Sequence, residues 1–304
     1  MKIAVEFPSV AFREGPQQIA ALARAIEEIG YDELAVFDHV VMGYPTPSRS
    51  APRYPSNMPV LEALILLGFA AAVTSRVSLS TEVLVLPQRQ PVLVAKQVAT
   101  LDTLSAGRMR LGVGVGWQEC EFDVLNTNFN DRGRRMDEAI GLLRAYWGED
   151  RIDLDGLHYP ADGIAMDPKP PQGAKLPIWV GGLSEPALRR VGRLGDGWMG
   201  SATGSDAKVQ SSVAKIRGYA EEAGRDPASV GMQLMLAPPP TDAEGKTFYA
   251  DHDRVVGRAS QIANMGFDWT AINATAIFQA GARSVDAMID QLGQLHPKLR
   301  DAVG

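Results

Sequence analysis

A chain of 304 residues, 45% hydrophobic and 22% charged, has the composition of an ordinary water-soluble globular protein. Its net charge of −6 disfavours a nucleic-acid backbone as partner, and its single cysteine, Cys120, excludes an intrachain disulfide. The longest apolar run, residues 60–73, contains Glu62 and is too short to span a bilayer, and the N-terminus lacks the apolar stretch of a signal peptide. The expectation is therefore a cytoplasmic protein with no membrane partner.

In chain order, residues 2–8 read as a first strand. Gly15-Pro16 opens a helix in which Ile19, Leu22, Ala23, Ile26 and Ile29 recur at helical spacing, and Gly30 ends it. Residues 33–37 form a second apolar strand, with Asp38-His39 at its exit. The rhythm then breaks. Residues 40–59 hold Pro45, Pro47, Pro52, Pro55 and Pro59 beside Tyr44, Tyr54, Arg49 and Arg53, and read as a stiff loop forming a lid or substrate wall. A helix over 60–73 and a third strand over 77–86 follow. Arg89-Gln90-Pro91 opens the next helix, where Val94, Val98, Leu101 and Leu104 make one face.

Residues 99–117 carry the densest signal. A helix ends at 105–107, where Gly107 suits a left-handed cap. A doubly buried strand spans 109–113. Gly114 and Gly116 stand at its exit, where glycine lets backbone approach a ligand closely. Trp117 either faces a planar ring or packs within a loop. Glu119 and Glu121 read as solvated carboxylates at a helix start.

Asp131 heads a helix with Met136, Ile140, Leu143 and Trp147 on one side. Residues 151–171 read as an inserted hairpin, with Ile152, Leu154, Leu157 and Tyr159 around Asp155-Gly156, and a Pro-rich tail. A fifth strand, 176–180, ends in Gly181-Gly182, and Ser184 is suited to cap the following helix. Strands over 196–199, 229–236 and 267–273 alternate with helices capped at Ser205 and Ser284, with a further insertion at 237–250. Eight strands alternating with helices predict an α/β fold, a (β/α)8 TIM barrel, as one domain over 1–304 with insertions at 40–59, 151–171 and 237–250.

The candidate chemistry sits at strand exits. His39 follows strand two, where barrel enzymes place catalytic groups, and a histidine there exchanges protons near neutral pH or simply stabilises a loop. Gly181-Gly182-Leu183-Ser184 presents N–H groups to an anion or makes a tight turn. Gly114-Val115-Gly116-Trp117 does not match G-x-G-x-x-G, which argues against a dinucleotide fingerprint. His39, His158, His252 and His296 are scattered, so no metal is expected. The chain has no G-x-S-x-G elbow, so a serine hydrolase is poorly supported.

Several segments taken together resemble the luciferase-like monooxygenase superfamily, specifically its coenzyme F420-dependent oxidoreductase branch. They are F-D-H (37–39), A-T-L-D-T-L-S-A-G-R (99–108), L-G-V-G-V-G-W (111–117), E-F (121–122), D-R-G-R-R-M-D-E-A (131–139), P-I-W-V-G-G-L-S-E-P-A-L-R-R (177–190) and L-G-D-G-W (194–198). The resemblance implies a deazaflavin or flavin at the C-terminal mouth of the barrel. It implies that Asp38 and His39 lie by the reactive ring, with His39 handling a proton during hydride transfer to or from a small organic substrate. It places a non-proline cis peptide near Glu82-Val83 behind the ring, with Gly114, Gly116 and Trp117 beside it. Gly181, Gly182, Leu183 and Ser184 would hold the cofactor phosphate. Met42, Tyr44, Tyr54 and Trp117 would wall the substrate pocket and suit an uncharged or aromatic molecule. Trp117 stands where sugar-phosphate dehydrogenases of the superfamily carry a proton-donating glutamate, which puts that chemistry in doubt. The alternatives are an FMN-dependent monooxygenase on the same barrel and a flavin-binding protein without turnover. Relatives imply a homodimer.

Overall fold

Eleven strands organise the described residues of the computed structural model, which are 1–8, 11–52, 54–201, 204–237 and 247–304. Nine of them form one sheet: β1 (Lys2–Glu6), β2 (Glu33–Val36), β3 (Ser78–Thr81), β4 (Leu84–Val85), β5 (Met109–Gly114), β8 (Ile178–Gly181), β9 (Gly197–Gly200), β10 (Gly231–Met235) and β11 (Trp269–Asn273). Every neighbouring pair in it is parallel. The sheet closes on itself because β3 and β4 both pair with β5. β3 and β4 are one stave interrupted at the Glu82–Val83 peptide, which is cis. Eight staves therefore make the (β/α)8 barrel that the alternation predicts.

The helices surround it: α1 (Pro16–Ile29), α2 (Ala63–Val73), α3 (Pro91–Leu104), α4 (Glu119–Val124), α5 (Arg132–Gly148), α6 (Glu185–Leu194), α7 (Asp206–Glu222), α8 (His252–Asn264), α9 (Ala274–Gln279) and α10 (Val285–Val303). Their local signals work as physics requires. Ser205 accepts from the Lys208 N–H and Ser284 from the Ala287 N–H, each satisfying a donor left free by the first turn. Gly107 sits in the left-handed region beyond the end of α3. Ser184 occupies the N-cap position of α6, but its hydroxyl makes no capping bond.

One local expectation changes. The hairpin exists, as β6 (Ile152–Leu154) against β7 (Ala161–Ile164), but Leu157 and Tyr159 lie in the connection rather than in a strand. Leu157 is left exposed, while the Tyr159 and His158 N–H groups bond to Glu138 on α5. The short helix α4 follows the glycines of β5 and begins at Glu119, where the sequence reads a helix start. Of the insertion expected at 237–250, residues 238–246 lie outside the described residues, as does Arg53. Among the described residues no helix is long and apolar enough to cross a membrane.

Candidate active site

The C-terminal ends of β1, β2 and β3 are adjacent in the barrel and carry Glu6, the Asp38-His39 pair and Glu82. His39 is buried, and its Nδ1 lies 3.1 Å from Glu121 Oε2. Glu121 is on α4, the helix that β5 feeds through its glycine exit. The other carboxylate oxygen of Glu121 accepts from the N–H groups of Val40 (2.6 Å) and Val41 (3.2 Å). Glu121 thus ties the start of loop 40–59 and the His39 ring to one point. Burial alone would raise its carboxyl. The hydrogen bond and charge of His39, the Val40 N–H and the approach of Gln88 overcome that and hold it at about 2. The Gln88 amide closes no well-formed hydrogen bond there.

This corrects one expectation. Glu119 is exposed, as a helix-start carboxylate should be, but Glu121 is only 1% exposed and is the partner of His39. Nothing in the local sequence separates the two.

Asp38 is also buried, and it faces a cation. Arg89 grips both its oxygens at 2.7 and 2.8 Å, and the Val85 N–H donates to it at 2.9 Å. A bidentate guanidinium–carboxylate pair has a fixed geometry. Asp38 therefore locks the β2 exit to the β4 exit and to the start of α3.

Two aromatic rings, Trp117 and Tyr54, gather beside His39. The His39 ring lies 5.4 Å from Trp117 and 5.8 Å from Tyr54, both edge-on, and Tyr54 is 6.4 Å from Trp117. Met42 lies nearby, its sulfur 3.7 Å from the Gln118 amide, which also bonds Val41 O and the Gly43 N–H. Tyr44, the fourth expected wall residue, is 66% exposed and outside this cluster. A cavity of about 390 Å³ opens between loop 40–59 and α4, lined by Arg49, Pro52, Trp117, Gln118 and Cys120 among others.

The glycines have a packing reason of their own. A Cβ on Gly114 would come 2.6 Å from Val83, one on Gly181 3.0 Å from the same side chain, and one on Gly116 2.7 Å from Val85. Glycine there lets the Glu82–Val83 segment settle onto β5 and β8. Gly182 has φ +126°, and the Trp198 indole N–H holds its carbonyl at 2.9 Å. The segment 182–184, with Gly182 and Ser184 exposed, then leads into α6 with the Ser184 hydroxyl uncommitted to capping. That combination suits an anionic group at the helix start. The Glu185 carboxylate in the first turn is engaged by Lys215 and Tyr219. Among the described residues, no three His, Cys, Asp or Glu converge as metal ligands.

A closed parallel barrel with a buried histidine–carboxylate pair at its C-terminal mouth has the architecture of a barrel enzyme. The chain belongs to the luciferase-like monooxygenase family, whose model matches residues 5–282. An uncharacterized protein of Mycobacterium tuberculosis is 35% identical over 215 residues, 67% of this chain and 72% of its own. An F420-dependent glucose-6-phosphate dehydrogenase of Beutenbergia cavernae is 30% identical over 225 residues, covering 73% of this chain and 63% of its own. Among solved structures, an F420-dependent secondary alcohol dehydrogenase bound to an F420–acetone adduct superposes with a TM-score of 0.79 at 19% identity. That match covers 99% of both chains.

Proposed function

We propose that this protein is an F420-dependent oxidoreductase that moves a hydride between the deazaflavin ring and a small organic substrate, with His39 handling the accompanying proton. The observation that carries the reading is the His39–Glu121 pair, buried at the exit of β2 beneath Trp117 and Tyr54. The residues present fit the group. Val83 seated on Gly114 and Gly181 offers an apolar floor, and the segment 181–184 offers a helix start for a phosphate. A bound deazaflavin would supply the hydride chemistry. The protein's part is orientation and proton control. Glu121 accepts from Nδ1 and so turns Nε2 toward the aromatic side, where a substrate heteroatom meets it. Asp38 positions the loop through Arg89 rather than acting on substrate. Trp117 and Tyr54 exclude water from the imidazole.

Membership of the luciferase-like monooxygenase family favours a second reading: an FMN-dependent monooxygenase on the same barrel. Binding of oxidised coenzyme F420 and of FMN, measured side by side by tryptophan quenching, separates the two. Tight F420 and weak FMN binding supports the first reading. The reverse result, with oxygen consumption on reduction, replaces it with the second. His39→Ala should leave cofactor binding intact and lower turnover by about 100-fold or more, the usual worth of a positioned acid–base group. Unchanged turnover would remove His39 from the chemistry, and binding of neither cofactor would overturn the assignment.

A further inference from the structure

Gln118 stands at the N-cap position of α4, where a polar side chain can satisfy the free N–H groups of its own first turn. It makes no such bond. The side chain is buried, and its amide is spent on loop 40–59 instead. Oε1 accepts from the Gly43 N–H at 2.8 Å, and Nε2 donates to Val41 O at 3.0 Å. The orientation of the amide is fixed, because a backbone N–H only donates and a carbonyl only accepts. Three residues on, Glu121 takes the N–H groups of Val40 and Val41. The two side chains therefore stand in for a partner strand along residues 40–43. Ser56 Oγ donates to Gly43 O at 2.8 Å and ties the far limb of the loop, close to Tyr54 in the chain, to the same point. Gly43 itself is pressed against α4. A Cβ there would come 2.5 Å from Cys120 Sγ and 2.5 Å from Arg49 Nη1.

From this geometry we propose that Gln118 is a positioning residue of the site: its amide latches the root of loop 40–59 to α4 and so holds Tyr54 beside His39 as a wall that the substrate meets. The inference rests on the oxidoreductase reading for its substrate, while the latch stands independently of it. Gln118 and Glu121 divide the work. Glu121 holds the loop and the imidazole together, so its loss disturbs the proton-handling group. Gln118 bonds the loop, with the Met42 sulfur 3.7 Å from its amide nitrogen, and leaves the imidazole to Glu121. Removing the amide strands the Gly43 N–H and Val41 O, and a half-buried backbone group without its partner is costly enough to release the segment toward water. The loop then lifts with Tyr54, and the substrate loses a wall while Glu121 keeps His39 in place. The expected signature is weaker substrate binding with the chemical step nearly intact.

The chain carries its own probe, because Cys120 is its only cysteine and lies against Gly43 at the edge of the cavity. In the cofactor-free protein, the rate at which Cys120 reacts with dithiobis-nitrobenzoate reads the opening of the latch. Gln118→Met keeps the length of the side chain and loses both donor and acceptor. It should raise that rate roughly tenfold, beyond any change in the global unfolding equilibrium. Ser56→Ala cuts the latch from the loop side and should raise the rate in the same direction; combined with Gln118→Met it should add little, because the two act on one opening. With cofactor bound, Gln118→Met should raise KM for a small neutral alcohol or ketone roughly tenfold and leave kcat and cofactor affinity within about twofold. An unchanged Cys120 rate in the variants, or a wild-type thiol as reactive as in the denatured chain, overturns the latch. An unchanged KM with a faster Cys120 overturns the positioning role, as does a fall in kcat alone. Ser56→Ala carries both measurements if Gln118→Met does not fold. Failure to bind either cofactor would count against the oxidoreductase reading alone, because the thiol measurement needs no cofactor.

Discussion

At the residue scale, the site turns on one carboxylate. Glu121 is ionised in the fold at about 2 against its ordinary 4.5, so the folded state binds its proton less tightly than the unfolded chain. The stabilisation is fully present above about pH 4.5 and is lost as pH falls toward 2, amounting to at most about 3 kcal/mol. Glu121→Gln should flatten the acid limb of the unfolding profile, and it should lower kcat more than it changes KM, because the imidazole loses its anchor rather than the substrate its pocket. Acid titration of the melting temperature, together with steady-state kinetics, checks both; an unaltered acid limb would show that the His39–Glu121 contact contributes little. His39 was legible in the sequence because a strand exit in a barrel is a functional address. Glu121 was not, because a carboxylate in the first turn of a helix looks the same in sequence whether it meets water or the N–H groups of a loop from 80 residues earlier.

At the scale of elements, the segment densest in recognisable residues is largely architectural. In A-T-L-D-T-L-S-A-G-R, Asp102 is fully buried and accepts from the Gln172 N–H at 3.1 Å, the Gln172 amide at 2.7 Å and the Met109 N–H at 3.3 Å. Arg108 donates to the Ser105, Val77, Ala71 and Thr74 carbonyls and to the Thr74 hydroxyl. It staples the end of α2 to the turn between α3 and β5. This lies at the start of β5, the end of the barrel remote from His39. Arg108→Ala should cost about 2 kcal/mol or more, because it leaves several carbonyls without a donor. Cofactor affinity in the folded fraction should stay unchanged. Chemical denaturation and a binding titration on the same preparation separate the two effects, and a loss of affinity without loss of stability would refute the architectural role. Helix caps and the glycine exits were readable from sequence because their signals are local. The connection within 151–171 was misplaced because Tyr159 is set by Glu138 on α5, a contact no local pattern encodes.

At the scale of the whole molecule, closure makes the site possible. β1 pairs with β11 over five residues in register, and α10 seals the seam. The Met1 ammonium donates to Val303 O at 2.9 Å, Arg300 pairs with Asp32 at 2.5 Å, and the Val285 N–H reaches Glu14 at 2.8 Å. Val285, Met288, Leu292, Leu295 and Leu299 bury one face of the helix. Removing residues 285–304 should expose the apolar surface that this face covers and abolish cooperative unfolding. Loss of the sharp transition in a denaturant titration is the expected result, and a truncated protein that still unfolds cooperatively would show that the barrel closes without α10.

The sequence by itself determined the alternation of strand and helix, hence the parallel barrel, the end at which chemistry would gather, and the family. Hydrophobic period, caps and glycines are written within a few residues of one another, so they survive without a fold. Only the tertiary structure decided which acids are partners: Glu121 with His39, Asp38 with Arg89, and Glu33 with Arg110. A carboxylate's role depends on burial and on the charge facing it. Both are set by closure of the barrel, which brings residues far apart in the chain to one mouth.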